Sequence, residues 1–157
     1  MSEPRGRWLG VDFGSKYVGL AIGDDSVSIV MPLKTISAQP DETLLTDLSK
    51  LAKAEGIVGF VVGVPINMDG SEGKSARLCR EFGSRLAEHS NLAVEYADER
   101  LSSWEAEGML IEGGMKPSER KQRVHAVAAK LILEAFFTAR KAADEAGSGG
   151  SGEQPGE

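Results

Sequence analysis

Apolar and polar positions along the chain set out a short series of elements. Trp8, Leu9, Val11 and Phe13 are strand formers, and Val18, Leu20 and Ile22 alternate with smaller residues at period two. Gly14, Ser15 and Lys16 between the two runs supply a turn, so the stretch reads as a hairpin. Ser26–Ile36 reads as a third strand, in which Pro32 points to an edge or a bulge. Asp41–Glu55 carries Leu44, Leu48, Leu51 and Ala52 at helical spacing, with Gly56 as its stop. Ile57–Val64 is a continuous apolar run, the pattern of a central buried strand, and the polar, glycine-rich loop Pro65–Gly73 leaves it.

Lys74–His89 reads as a second helix with Leu78, Phe82 and Leu86 on one face, and Ala93–Ala97 as a short strand ending in Asp98-Glu99-Arg100. Ser102-Ser103-Trp104-Glu105 has capping-box spacing and opens a third helix that stops at Gly113-Gly114. Pro117-Ser118 opens a fourth, running to about Ala143 with Val124, Ala128, Leu131 and Ala135 on one face. The order β-β-β-α-β-α-β-α-α predicts a five-stranded mixed α/β sheet, an antiparallel meander plus parallel strands, flanked by helices. From Gly147 the composition is glycine, serine and acid. This predicts a single domain over residues 1–146 followed by a disordered tail over 147–157.

Charge adds little. The net charge of −6 argues against a nucleic-acid partner at first sight, but Asp144, Glu145, Glu153 and Glu157 lie in the last stretch; without them 18 basic residues face 20 acidic ones. No apolar run approaches the roughly 20 residues of a membrane span. The first residues lack an apolar signal core, so a cytoplasmic location and no membrane partner are expected. Cys79 is the one cysteine, which excludes a disulfide framework and a cysteine-based zinc site.

Candidate chemistry begins with Asp12, a carboxylate inside an apolar strand, where a charge is costly unless paired or bound to a metal. Gly10, Gly14 and Gly19 leave the backbone around it bare, so a phosphate or another strand could come close. Ligands of such sheets gather at the carboxyl ends of the strands, where Asp12, Asp98 and Glu99 all fall. Carboxylates on neighbouring strand ends repel unless a cation joins them. Two Mg²⁺ ions about 3.5–4 Å apart, bridged by carboxylates, are the usual apparatus for hydrolysing a phosphodiester, and hard oxygen ligands suit Mg²⁺ or Mn²⁺. Glu105 is a candidate further ligand but is better explained as the capping-box residue that bonds back to Ser102. Lys16 in the turn, Asn67, Asp69 and Ser71 in the loop, Arg77 on the second helix and Arg100 are candidate nucleic-acid contacts. Arg80, Arg85, Arg120, Lys121 and Arg123 are further basic helix positions, and Cys79 reads as a small packing residue.

Four segments together resemble one family. They are Leu9-Gly10-Val11-Asp12-Phe13-Gly14-Ser15-Lys16 through Asp24, Val61–Gly73 with Asn67-Met68-Asp69-Gly70-Ser71 at its centre, Asp98-Glu99-Arg100-Leu101-Ser102-Ser103-Trp104-Glu105-Ala106, and Val124-His125-Ala126-Val127-Ala128-Ala129 through Leu133. The family is YqgF/RuvX, the Holliday junction resolvase-like proteins, also described as pre-16S rRNA nucleases. The resemblance covers about Leu9 to Phe137. It implies an RNase H-like fold, a divalent-metal nuclease using Mg²⁺ or Mn²⁺, and pre-ribosomal RNA or branched DNA as partner. Asp12 matches the first-strand carboxylate and Asp98 that of the DER motif, with Glu99 beside it. The fourth motif usually carries an Asp where this chain has His125, so the implied metal set is Asp12, Asp98 and His125. Two other classes share parts of the pattern. Actin-like ATPases and sugar kinases open on a similar hairpin but pair two such domains, and a catalytically silent RNA-binding factor would keep the fold without the cuts. Monomer and homodimer are both compatible with the sequence.

Overall fold

The computed structural model describes residues 5–27, 29–99 and 117–153, with the side chains of the last helix described from Arg123 to Ala146. The elements run β1 (Arg7–Phe13), β2 (Tyr17–Asp24), β3 (Ile29–Ser37), α1 (Asp41–Glu55), β4 (Ile57–Val64), α2 (Lys74–Ser90), β5 (Ala93–Asp98) and α3 (Pro117–Glu153). The strands form one sheet in the order β3-β2-β1-β4-β5. β1–β2 and β2–β3 pair antiparallel, whereas β1–β4 and β4–β5 pair parallel. The mixed sheet therefore stands as expected. The helix expected to open at Ser102, with Glu105 and Arg100, lies outside the described residues.

Strand alternation divides the chain between two apolar layers. Leu9 and Val11 of β1, Val18 and Leu20 of β2, and Phe60, Val62 and Val64 of β4 point to one face. There they pack against Leu44, Leu45, Leu48 and Ala52 of α1 and Ala76, Cys79, Phe82 and Leu86 of α2. Leu78, expected on that face, is 46% exposed instead. The buried stripe of α2 is Ala76, Cys79, Phe82, Gly83 and Leu86, which keeps the expected Phe82 and Leu86 and puts Cys79 in the place of Leu78. On the opposite face Trp8, Ala21, Val30 and Val61 meet Ala129, Ile132, Leu133 and Phe137 of α3. The stripe expected on α3 is thus displaced too. Val124, Val127, Ala128 and Leu131 form a small separate cluster, and Ala135 is exposed.

Glycines explain how closely α3 lies on the sheet. A Cβ on Gly10 would sit 2.7 Å from the Ala129 carbonyl oxygen, and one on Gly19 would overlap the His125 carbonyl. The bare backbone expected to admit a phosphate or a strand is therefore occupied by a helix. Pro32 sits on the edge strand β3, where the register slips between Leu20 and Ala21, so both readings of that proline hold. β3 begins at Ile29 rather than Ser26, because the Ser26 N–H and hydroxyl both donate to Asp24 Oδ1 and close a turn. Helix α1 ends at Gly56, whose φ of 67° puts it in the left-handed region that glycine favours.

Helix α3 does not stop near Ala143. Its backbone is helical to Glu153, past the expected stop. Once a long helix is nucleated, each further residue adds only its own propensity cost. That cost is about 1 kcal/mol for a glycine relative to alanine, so it opposes the helix without forbidding it.

Candidate active site

Asp12 stands one residue from the end of β1 and shares the α3 face with Trp8 and Gly10 by alternation. It is 6% exposed. Across the hairpin its register partner is Gly19. Because Gly19 has no side chain, the main chain of α3 at His125 comes down onto it, and the His125 ring reaches Asp12. The Nδ1···Oδ2 distance is 3.0 Å. With Asp12 ionised, Nδ1 carries the proton and donates it, and Nε2 is left with the lone pair. The Tyr17 ring stands 6.0 Å from the imidazole.

The second carboxylate at Asp12 is Glu99. β5 follows β4 in parallel register, with Asp98 opposite Val64, and the Glu99 N–H donates to the Val64 carbonyl. Ala93 and Ala97 face α3, while Val94 and Tyr96 face α1 and α2. Continued alternation turns Glu99 toward Asp12 and turns Asp98, which is exposed, the other way. Gly63 of β4 leaves the room, since a Cβ there would stand 2.8 Å from Glu99 Oε2. Burial first, then the negative charge of Asp12 and a hydrogen bond to it, with Asp98 adding its charge, push the Glu99 carboxyl up to about 9. Glu99 is therefore protonated at neutral pH and donates to Asp12. Cys79 lies behind the pair, and burial, Glu99 and Asp12 push its thiol up to about 12, so it stays an inert packing group.

The expected phosphate contacts divide. Lys16, Arg77, Lys74 and Arg123 are exposed around this end of the sheet, and none forms an ion pair with another described residue. Arg80 is held by Glu72, and Arg85 by Asp41 and Glu42. Asn67, Asp69 and Ser71 bond to one another: Asn67 Nδ2 donates to Ser71 Oγ at 2.9 Å, and Ser71 Oγ donates to Asp69 Oδ1 at 2.6 Å. These three frame their own loop. Lys74 was not singled out from the sequence, although its place directly after a loop at a strand end was legible.

Among the described residues no group of three or more His, Cys, Asp and Glu side chains is set as a ready metal cage. The pair Asp12–Glu99 nonetheless fits a hard divalent cation. A buried carboxyl in hydrogen-bond contact with a half-buried one offers oxygen donors whose repulsion a cation relieves. His125 meets the pair through Nδ1, which leaves Nε2 on the far side of the ring, and Asp98 faces away.

The fold places the chain in a class. A solved structure of Thermus thermophilus RuvC in complex with Holliday junction substrate superposes with a TM-score of 0.56 at 14% identity, over 87% of this chain and 96% of that one. A second Thermus thermophilus RuvC structure gives 0.51 at 13% identity. The architecture is that of the RNase H-like α/β proteins. Within that class the chain belongs to the RuvX family, described as Holliday junction resolvase, whose pattern matches residues 6–139. A relative from Anaeromyxobacter sp. (strain Fw109-5) is 40% identical over 136 residues, 87% of this chain and 99% of its own length. One from Chloroflexus aggregans is 39% identical over 133 residues, 85% of this chain and 94% of its own. Both carry the provisional name pre-16S rRNA nuclease.

Proposed function

We propose that residues 1–146 form a divalent-metal-dependent nuclease that hydrolyses phosphodiester bonds of nucleic acid, acting in the cytoplasm on the 5′ end of pre-16S ribosomal RNA. The observation that carries this reading is the contact of the Asp12 carboxylate with both Glu99 and His125, at the carboxyl end of the sheet and among exposed basic side chains that pair with no other described residue. The names of the relatives support the RNA substrate. The family description, with a RuvC solved on a Holliday junction, supports branched DNA as the second substrate to test.

Asp12 and Glu99 would hold Mg²⁺ or Mn²⁺, joined by His125 if its ring gives up the bond to Asp12 and turns a nitrogen to the ion, which when bound activates water and stabilises the leaving oxygen. Asp12 is held in place by the His125 N–H, so its lone pairs keep one orientation. Glu99 must release its proton before it can ligate, which ties cation binding to pH. Lys16, Lys74, Arg77 and Arg123 hold the backbone phosphates on either side. Cleavage of pre-ribosomal RNA and of four-way DNA junctions, each with Mg²⁺, Mn²⁺ or EDTA, tests the reading. Metal-dependent cuts in either substrate are expected. Binding without cleavage in any metal would leave a silent RNA-binding factor, for which the His125 imidazole in place of an acid is the physical motive.

A further inference from the structure

Met68 is the most exposed large apolar side chain among the described residues, at 74%. Its loop is not slack. The Gly70 N–H donates to the Asn67 carbonyl at 2.8 Å, closing a β-turn with Met68 and Asp69 at its corners, and the Asn67 N–H donates to the Ser71 carbonyl at 2.8 Å. Gly70, at a φ of 92°, takes a left-handed conformation that other residues avoid. The Ser71 N–H donates to Asp69 Oδ1 at 2.9 Å, Ile66 bridges Glu72, and Arg80 grips both Glu72 oxygens at 2.7 Å. Every polar side chain of the turn is tied inward, and the one apolar side chain is held out.

We propose that Met68 is a wedge that enters between bases of nucleic acid bound across the Asp12–Glu99 site, selecting branch points and stem ends over continuous duplex. The inference rests on the nuclease reading above. The loop leaves β4, which lies between the strands of Asp12 and Glu99. Met68 is four Cα steps from Val64, so it stands within roughly 14 Å of the strand end. That is a span of a few nucleotides. Lys74 and Arg77 follow directly on the exposed side of α2 and offer two cations to phosphates, while Glu72 is neutralised by Arg80 and the Asp69 carboxylate is turned onto Ser71. An unbranched thioether is polarisable, contacts aromatic faces well, and is among the side chains that unstack base steps. Stacked duplex resists such entry, whereas bases at a branch or a frayed end admit it.

The test uses the full chain with two probes, a four-way DNA junction and an RNA stem with a single-stranded 5′ arm. Each carries 2-aminopurine at the branch, and neither Mg²⁺ nor Mn²⁺ is present. The wild-type chain should raise the fluorescence of a bound probe about threefold, as a base step opens. Met68→Ala and Met68→Ser should lose most of that rise at saturation and bind about tenfold more weakly. Met68→Leu should keep both, and all three should melt as the wild type does. A wild-type complex with no rise, or an alanine variant with an undiminished one, overturns the wedge and leaves the nuclease reading standing. A rise with no cleavage once metal is added keeps the wedge and sinks the nuclease. Failure to bind either probe overturns both.

Discussion

The His125 carbonyl rests on the bare α-carbon of Gly19, and Gly19 is the residue that pairs with Asp12 across the first hairpin. The ring that meets Asp12 is thus delivered by the absence of a side chain on the neighbouring strand. Gly19→Ala puts a methyl group into the main chain of α3. Overpacking of this kind costs about 1–3 kcal/mol, and here the obstacle is backbone, which yields little. Urea unfolding should show a loss of that size, and cleavage should fall further than stability as His125 is lifted from Asp12. An alanine variant with wild-type stability and rate would show that α3 does not press on Gly19.

Glu99→Gln should stabilise the metal-free protein. The folded state keeps the Glu99 proton up to pH about 9, while the unfolded chain loses it near 4.5. Across that window the native state binds the extra proton, so this residue makes stability fall as pH rises; below 4.5 both states are protonated and it contributes nothing. The variant should melt with the wild type at pH 4 and several degrees higher at pH 8 in EDTA. Excess Mg²⁺ should narrow or reverse the gap, because only the wild type gains a ligand. A variant that melts lower at pH 8 without metal would show that the Asp12–Glu99 contact does not strain the fold.

The bounds of α1 and β4 were legible to the residue, because Pro40 and Gly56 punctuate one and an unbroken apolar run defines the other. The site was legible only in part. Asp12 stood out as a charge among apolar neighbours. Which of Asp98 and Glu99 turns toward it depends on the pleat of β5 and its register with β4, and no local pattern states that. The stripe on α3 was misplaced for a related reason. Helical spacing alone offers several faces, and the one that packs is chosen by where Gly10 and Gly19 let the helix approach. His125 and Asp12 are 113 residues apart, so family motifs, not spacing, made them candidates for one site.

Asp12→Asn should abolish metal-dependent cleavage and leave the fold intact. The amide keeps the shape, removes the charge that Glu99 opposes, and can still accept from His125 Nδ1. Circular dichroism should match the wild type, and the melting temperature should be equal or slightly higher. Retained cleavage would remove Asp12 from the catalytic set.

His125→Asp separates a ligand role from a packing role. Nδ1 of His125 already donates to Asp12 at 3.0 Å with the ring about one-third exposed, so the position is polar and partly wet. An aspartate there sets a third carboxyl beside two that already share one proton. Without metal this adds repulsion and removes a donor, so the variant should melt lower than the wild type in EDTA. With metal the sign reverses. Three hard oxygen donors suit Mg²⁺ better than two and an imidazole, which Mn²⁺ accepts more readily. The variant should therefore bind Mg²⁺ more tightly by calorimetry, show the larger rise in melting temperature on adding it, and lose part of any preference for Mn²⁺ in cleavage. An unchanged Mg²⁺ affinity together with a lowered melting temperature would leave His125 as the group that orients Asp12, with no place of its own on the metal.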